Sequence, residues 1–359
     1  MAFPVFMFTF FQTSLVAAQC SKPPVIFNFG DSNSDTGGGA ALLGGPFVYP
    51  DGRTFFQEPT GRFCDGRLII DFLCESLDTK YLTPFTGAVD RNFSNGVNFA
   101  LSGSGIASAT AYPFPLNVQI LEFIRFRNRS IELCSRGHQN LLGEDDFNNA
   151  LYTIDMGQND LTYGYKHRTY DSFVKGLIPF AISRIRSAIQ DIYHLGGKNF
   201  WVHGVGPLGC LPQELATRNG SKRLDKYGCI SEMNELIKQF NLELDVLCQQ
   251  MRIEMENSTI VYVDVYSIKY DIITSSSSYG FEHPLMACCG YGGPPYNIDP
   301  VIGCREASQS VCPQAQRRIS WDGVHYTEAA NAIVAFKILS TNYSSPPLPF
   351  NFFCNTPSC

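Results

Sequence analysis

Charge is scarce in this sequence. Asp, Glu, Lys and Arg make up only 17% of 359 residues, with a formal net charge of -6. No Lys/Arg cluster interrupts that pattern, so nothing is built to grip a phosphate backbone and nucleic acid is not an expected partner. The compact signatures of several chemistries are also missing. There is no Walker loop, no HExxH and no GxSxG elbow, which excludes P-loop, zincin and α/β-hydrolase sites. No CxxC pair occurs, so zinc ribbons and thioredoxin-like sites are poor readings and no metal is expected. Beyond the N-terminus, no run is long and apolar enough to span a bilayer.

The first eighteen residues carry no charge at all. They run Phe3-Pro-Val-Phe-Met-Phe-Thr-Phe-Phe11, then Leu15-Val-Ala-Ala18. A short apolar stretch ending in small residues reads as a secretory signal over 1–18, leaving 19–359 as a single domain. A membrane anchor is the alternative, but the stretch is short and broken by Pro4, Gln12 and Thr13. What is abundant agrees with export. All 13 cysteines fall from Cys20 onward, and such a density suits an oxidising compartment and a disulfide framework. The adjacent Cys288 and Cys289 belong to that framework; the pairing cannot be read from spacing, and the odd count leaves at least one thiol over. Glycosylation sequons stand at Asn92, Asn128, Asn219, Asn257 and Asn342.

Pro24-Val-Ile-Phe-Asn-Phe29 is a short apolar run stopping at Gly30, the pattern of a buried strand. Runs at 97–101, 151–156, 200–205 and 260–265 have the same character. Between them, 68–77, 118–129, 173–195, 233–255 and 328–339 carry apolar residues at three- and four-residue spacing, as amphipathic helices do. Alternating strands and helices predict an α/β fold with a central parallel sheet covered on both faces. The Pro/Gly-rich stretches 44–61 and 290–303 read as long loops, and the tail from Ser344 as irregular. In such sheets chemistry sits beyond the carboxyl ends of the strands.

After the first strand comes Gly30-Asp-Ser-Asn-Ser-Asp-Thr-Gly37. A tight turn there would expose Ser32 near a helix N-terminus, whose N–H groups favour a developing negative charge. The same residues also read as a polar turn with a helix N-cap. Asp31-x-Asn33-x-Asp35 opens like a calcium loop, but Thr36 and Leu42 stand where Gly and Glu are needed. After the second strand, Asn98-Phe-Ala-Leu-Ser-Gly103 offers a glycine N–H to an oxyanion, or is simply a Gly-rich turn. After the third, Gly157-Gln-Asn159-Asp160 offers a carboxamide, or a cap for the next helix. Near the C-terminus, Trp321-Asp322-Gly-Val-His325 places a carboxylate and an imidazole on one turn, a spacing that lets the acid fix the imidazole's tautomer. Gly204-Val-Gly206-Pro-Leu-Gly209 matches a dinucleotide fingerprint, but Pro207 and Pro212 fall where the phosphate-binding helix should begin.

Taken in order, FGDSNSDTGG (29–38), NFALSG (98–103), GQND (157–160) and WDGVH (321–325) resemble the plant GDSL esterase/lipase family within the SGNH hydrolases. GVGPLGCLP (204–212) and ACCGYGG (287–293) extend the resemblance through nearly the whole chain after the leader. It implies a flavodoxin-like three-layer α/β/α sandwich. By position it implies Ser32 as nucleophile, Asp322 and His325 as orienter and base, and the Ser32 amide, Gly103 and Asn159 as oxyanion donors. Asn33 stands where the family's name has Leu, a variant similar to the branch holding early-nodulin esterases, proteins described as fucosidases, and acetylesterases. The departure bears on substrate and leaves the nucleophile intact.

The expected reaction is hydrolysis of carboxylic esters, of carbohydrate, specialised metabolite or lipid, through an acyl-serine, with no cofactor. The expected location is extracellular, in apoplast or cell wall, with the vacuole as alternative. Three rivals stay open: an acyltransferase using the same triad, a glycosidase needing two carboxylates across a sugar, and a non-catalytic secreted binding protein. Acyl and alcohol specificity and oligomeric state are not legible in the sequence.

Overall fold

A computed structural model describes residues 20, 22–44, 48–87, 92–107, 114–139, 141–217 and 223–355. The leader expected over 1–18 and the sequon at Asn219 lie outside the described residues. The apolar runs form strands β1 (Ile26–Gly30), β2 (Gly96–Asn98), β3 (Leu151–Asp155), β4 (Asn199–His203) and β5 (Thr259–Val263). All five are parallel, in the order β2-β1-β3-β4-β5. Their runs are apolar throughout because both faces are covered: Phe27, Phe29, Ile154, Trp201 and Val202 are all buried. A short antiparallel pair, β6 (Cys289–Gly290) with β7 (Ser310–Val311), stands apart from this sheet. Strand β8 (Ser344–Ser345) closes the main sheet antiparallel to β5.

The helices in chain order begin with α1 (Gly38–Leu43), α2 (Ile69–Ser76), α3 (Leu116–Ser135), α4 (Glu144–Asn148) and α5 (Gln158–His167). They continue with α6 (Tyr170–Ser172), α7 (Ile178–His194), α8 (Pro212–Ala216), α9 (Ser231–Glu254), α10 (Val265–Thr274) and α11 (Glu328–Leu339). Two contacting series, α3–α7–α9 and α2–α11–α10, flank the sheet. The fold is therefore the expected α/β type, with one antiparallel edge strand making the sheet mixed. Phe27 anchors one core layer, its ring 5.2 Å from Phe123, 5.1 Å from Phe147 and 5.4 Å from Tyr152. Such aromatic stacking adds to what burial alone contributes.

The tail departs from expectation. Its prolines signal irregular chain, yet Ser344–Ser345 pairs with β5, and Phe350 and Phe353 set their edges 5.0 and 5.9 Å from the Trp201 ring. Burial of two aromatic rings and a Cys20–Cys354 bridge hold the segment against the sheet. Three further disulfides join Cys210 to Cys229, Cys288 to Cys312 and Cys289 to Cys304. The neighbours Cys288 and Cys289 are not bonded to one another; Cys289 ties Cys304 within the loop between β6 and β7, and Cys288 with Cys312 closes the strand pair from outside. Cys64, Cys74, Cys134 and Cys248 are free. After β4 the glycine-rich turn passes into a single 3-10 turn at Leu208–Cys210, and no phosphate-binding helix follows. Asn92, Asn128, Asn257 and Asn342 are all exposed. Among the described residues no helix is long and apolar enough to cross a membrane, and no group of three or more His, Cys, Asp or Glu could hold a metal ion.

Candidate active site

The turn after β1 is held by neutral hydrogen bonds to its neighbours. Asn28 donates to Asn98 Oδ1 at 2.8 Å and accepts from Thr153 Oγ1 at 2.7 Å. Asn98 Nδ2 in turn donates to the Ser34 carbonyl at 2.7 Å and to Thr36 Oγ1 at 2.9 Å. From α3, the Gln119 carboxamide accepts from Gly30 N–H at 3.0 Å and donates to the Gly30 carbonyl at 2.9 Å. Glycine is required at position 30, because a Cβ there would fall 2.3 Å from Ser34 Oγ and 2.8 Å from the Asp155 carbonyl. The result is a tight turn carrying Ser32 with only 7% of its surface exposed.

One expectation about this turn needs correction. Helix α1 begins only at Gly38, and its first N–H groups do not face Ser32. Asp35 takes them: Oδ1 accepts from Gly37 and Gly38 at 2.9 and 2.6 Å, and Oδ2 from Gly39 at 3.0 Å. Asp35 Oδ2 also accepts from Ser102 N–H at 2.8 Å, so the same carboxylate ties the nucleophile turn to the loop carrying Gly103. Asn33, the residue that departs from the GDSL pattern, donates from Nδ2 to Asp31 Oδ1 at 2.9 Å and to Gln158 Oε1 at 3.3 Å. It bridges the Ser32 turn to the first residue of α5.

Gly103 adopts φ +77°, the left-handed region that glycine enters without strain. Asn159, in the first turn of α5, donates from Nδ2 to the Ser104 carbonyl at 2.8 Å. A carboxamide nitrogen has two hydrogens, so one fixes the side chain and one is left over. Asp160 is neither cap nor acid. Its Oδ2 accepts from Ile106 N–H at 2.7 Å and its Oδ1 from Ala107 N–H at 2.9 Å, clamping the Gly103 loop onto α5. Burial raises the Asp160 carboxyl, and those N–H groups act against it.

The C-terminal turn completes the arrangement. His325 Nε2 lies 2.7 Å from Ser32 Oγ, and His325 Nδ1 lies 2.7 Å from Asp322 Oδ2. Asp322 Oδ1 accepts from the backbone N–H of Val324 at 3.0 Å and of His325 at 2.8 Å. Burial opposes charge on Asp322, but the charge and ring hydrogen bond of His325, the Arg305 guanidinium and the His325 N–H hold it well below the usual carboxylate range. It is the anion that a neighbouring imidazole needs. Phe63 flanks His325, its ring 5.1 Å away.

Beneath Ser32 lies a second, buried charged group. Asp31 and Asp155 face His203 and Lys269; His203 Nδ1 is 3.6 Å from Asp155 Oδ2. Burial and the Asp155 anion raise Asp31, whereas Asp155 is lowered by His203 and Lys269 despite its own burial. Lys269 Nζ also sits 4.5 Å over the Tyr326 ring. Sequence reasoning names Ser32, Gly103, Asn159, Asp322 and His325, and these all sit on this one rim of the sheet or the turn facing it. It misses Gln119, Asp51, Phe63 and Arg305, which carry no motif and arrive from distant segments. Gln119, a buried carboxamide beside Leu116, Ile120 and Phe123 near the start of α3, was the one available signal.

Comparison with known proteins agrees with this geometry. The GDSL-like Lipase/Acylhydrolase family matches residues 26–338. A GDSL esterase/lipase of Arabidopsis thaliana is 53% identical over 348 residues, covering 96% of this chain and 93% of its own. A GDSL esterase/lipase of Zea mays is 40% identical, covering 93% and 89%. An Arabidopsis protein named alpha-L-fucosidase 3 is 42% identical, covering 90% and 91%. With a family match running from β1 to the last full turn of α11, and relatives at this identity along nearly their whole lengths, the chain belongs to the GDSL-like lipase/acylhydrolase family of ester-hydrolysing enzymes.

Proposed function

We propose that this ester hydrolase is a secreted serine esterase in which Ser32 is the nucleophile, His325 the general base and Asp322 its orienter. The observation that carries the reading is the chain of two 2.7 Å contacts from Ser32 Oγ through the imidazole to Asp322. His325 Nε2 takes the Ser32 proton as Oγ attacks the ester carbonyl carbon. The carbonyl electrons move onto oxygen, and N–H groups of Ser32, Gly103 and Asn159 stabilise that oxyanion. The imidazolium then gives its proton to the departing alcohol. Water, deprotonated by the same nitrogen, attacks the acyl-serine; the imidazolium then returns that proton to Ser32 Oγ as the bond to the acyl carbon breaks and the acid leaves. Asp322 stays ionised throughout, consistent with its lowered pKa.

The four disulfides and the exposed sequons at Asn92, Asn128, Asn257 and Asn342 support an extracellular setting. A glycosidase finds less support. Asp35 and Asp160 are committed to backbone N–H groups, and Asp31 is buried under the nucleophile turn. The substrate class is a carboxylic ester, acetyl or longer, of a carbohydrate, specialised metabolite or lipid.

The test is hydrolysis of p-nitrophenyl acetate, butyrate and palmitate by the secreted protein and by Ser32→Ala. Turnover that falls by about 10⁴ or more in the variant is expected, since loss of a triad nucleophile has effects of that size. Comparable turnover by both proteins would remove Ser32 from the chemistry. The chain-length profile then narrows the acyl group.

A further inference from the structure

We infer that Arg305, held by Asp51, is a positioning residue that divides its charge between two carboxylates and thereby sets how strongly Asp322 favours the protonated imidazole. The inference rests on the triad proposed above. Arg305 follows Cys304 in the loop between β6 and β7, 17 residues from Asp322 and 254 from Asp51. Its Nε lies 2.5 Å from Asp51 Oδ2 and its Nη2 3.1 Å from Asp51 Oδ1, a two-point pairing with a fully buried acid. Nη1 and Nη2 both lie 3.3 Å from Asp322 Oδ2, the oxygen that His325 Nδ1 approaches. The guanidinium also lies over Phe63 at 4.6 Å, the ring that flanks His325. Asp51 is fixed on its other side by Trp321 Nε1, which donates to Oδ1 at 2.8 Å. Trp321 immediately precedes Asp322.

The arrangement is specific in what holds it. Arg305 sits at φ +82°, a left-handed conformation costly for a residue with a side chain. It is kept there by the Cys289–Cys304 bridge beside it and by its N–H donating to Gln309 Oε1. The Cys288–Cys312 bridge closes the base of the same loop, and Arg53 donates to the Cys312 carbonyl at 2.8 Å while lying 5.2 Å over the Trp321 ring. Burial works against the Arg305 charge, and the anions Asp322 and Asp51 more than offset it, keeping the guanidinium charged. A solvent-exposed ion pair would do little here; one that is largely buried acts at low effective dielectric, where charge is felt strongly. The other titratable or charged groups near the site are Arg53 over Trp321 and Asp31, Asp155, His203 and Lys269 on the sheet side, and among the described residues none of these hydrogen-bonds to Asp322.

Removing either member of the pair should move the enzyme in opposite directions. In Arg305→Gln, Asp322 and Asp51 are both left without their cation. The imidazolium is then favoured, and the acid limb of the kcat/KM profile moves to higher pH. In Asp51→Asn, the Trp321 hydrogen bond can persist while the guanidinium turns its whole charge on Asp322. The imidazolium is then disfavoured, and the limb moves to lower pH. The measurement is kcat/KM for p-nitrophenyl acetate from pH 4 to 9 (a range of about five units) for wild type, Arg305→Gln, Arg305→Lys and Asp51→Asn. Shifts of about half a unit to one unit are expected, equal to roughly three- to tenfold in rate on the limb. Arg305→Lys, which keeps the charge, should restore the limb at least halfway. Limbs that coincide in all four proteins, or that shift in the same direction in Arg305→Gln and Asp51→Asn, would reduce Arg305 to loop packing. Should Arg305→Gln not fold, the direction of the Asp51→Asn shift decides. Retained turnover in Ser32→Ala is the separate result that would sink the triad itself.

Discussion

The two halves of the site are built by different physics. The nucleophile turn hangs on the sheet, held by short hydrogen bonds from Asn28, Asn98, Gln119 and backbone groups, with the Asp35 carboxylate bonded to backbone N–H groups. The His325 turn lies away from the strands. Its supports are ions, Arg305 with Asp51 and Asp322, on a loop closed by two disulfides. The first half is fixed by register within a packed fold. The second is fixed by covalent bridges and by an ion pair that reaches Asp322, with Trp321 buried beside it. A nucleophile must stay put, while a base must also carry the right proton, and a cation bonded to Asp322 bears on the second task.

That contrast can be tested from its strongest effect downward. Asn159→Ala should lower kcat by about a hundred- to a thousandfold with little change in KM, the loss typical of one oxyanion donor. Steady-state kinetics on p-nitrophenyl butyrate would measure it, and near-normal kcat would remove Asn159 from the oxyanion site. Next comes the paired change Cys289→Ser with Cys304→Ser. Opening a loop of 15 residues should cost about 3 kcal/mol, read as a lowered denaturant midpoint, and should lower activity before the sheet unfolds. Activity that persists until global unfolding would mean that the bridge does not hold the base in place. Gln119→Leu strikes the other half. It leaves the buried Gly30 N–H without its partner and the Gly30 carbonyl with only the Leu101 N–H, at a cost of about 1 to 3 kcal/mol, and the loss should be the same with or without reductant. A loss that grows in reductant would blur the distinction between the halves.

The smallest effect is in pH. Asp322 has its carboxyl depressed in the folded protein. Its contribution to stability is therefore complete above the unfolded carboxylate value and fades as pH falls through the folded one. Denaturant midpoints of wild type and Asp322→Asn should thus differ at pH 6, about two units above that ordinary value, and converge in strong acid. A gap that stays constant on acidification would show that the Asp322 charge is not what stabilises the turn.

Much of this was legible in the residues themselves. Phe27, Phe29, Ile154 and Trp201 announce strands because a sheet covered on both sides leaves no polar face to alternate with. The helices at 233–255 and 328–339 appear within two residues of their periodic signals, at Ser231–Glu254 and Glu328–Leu339. Asp322 and His325 stood out because they are close in sequence on a single turn, and Ser32 because it follows a strand on a tight glycine-bounded turn. The reading failed where a local signal was outweighed at a distance. Prolines in the tail suggested disorder of path, but Phe350 and Phe353 found Trp201. Polar residues after Ser32 suggested a helix start beside it, but Asp35 absorbed the N–H groups of α1.

The sequence by itself determined the layered α/β architecture, the turn that presents Ser32 and the short segment that pairs His325 with an acid, because periodicity and tight turns are local properties of the chain. Only the tertiary structure decided which cysteines pair, that Asp160 clamps rather than caps, and that Arg305 and Asp51 stand behind Asp322. Those are contacts between separate turns and loops, such as Cys289 with Cys304 at a separation of 15 and Arg305 with Asp51 at a separation of 254. No local pattern specifies such a contact, because the energy that selects it exists only once the sheet has brought both segments to the same rim.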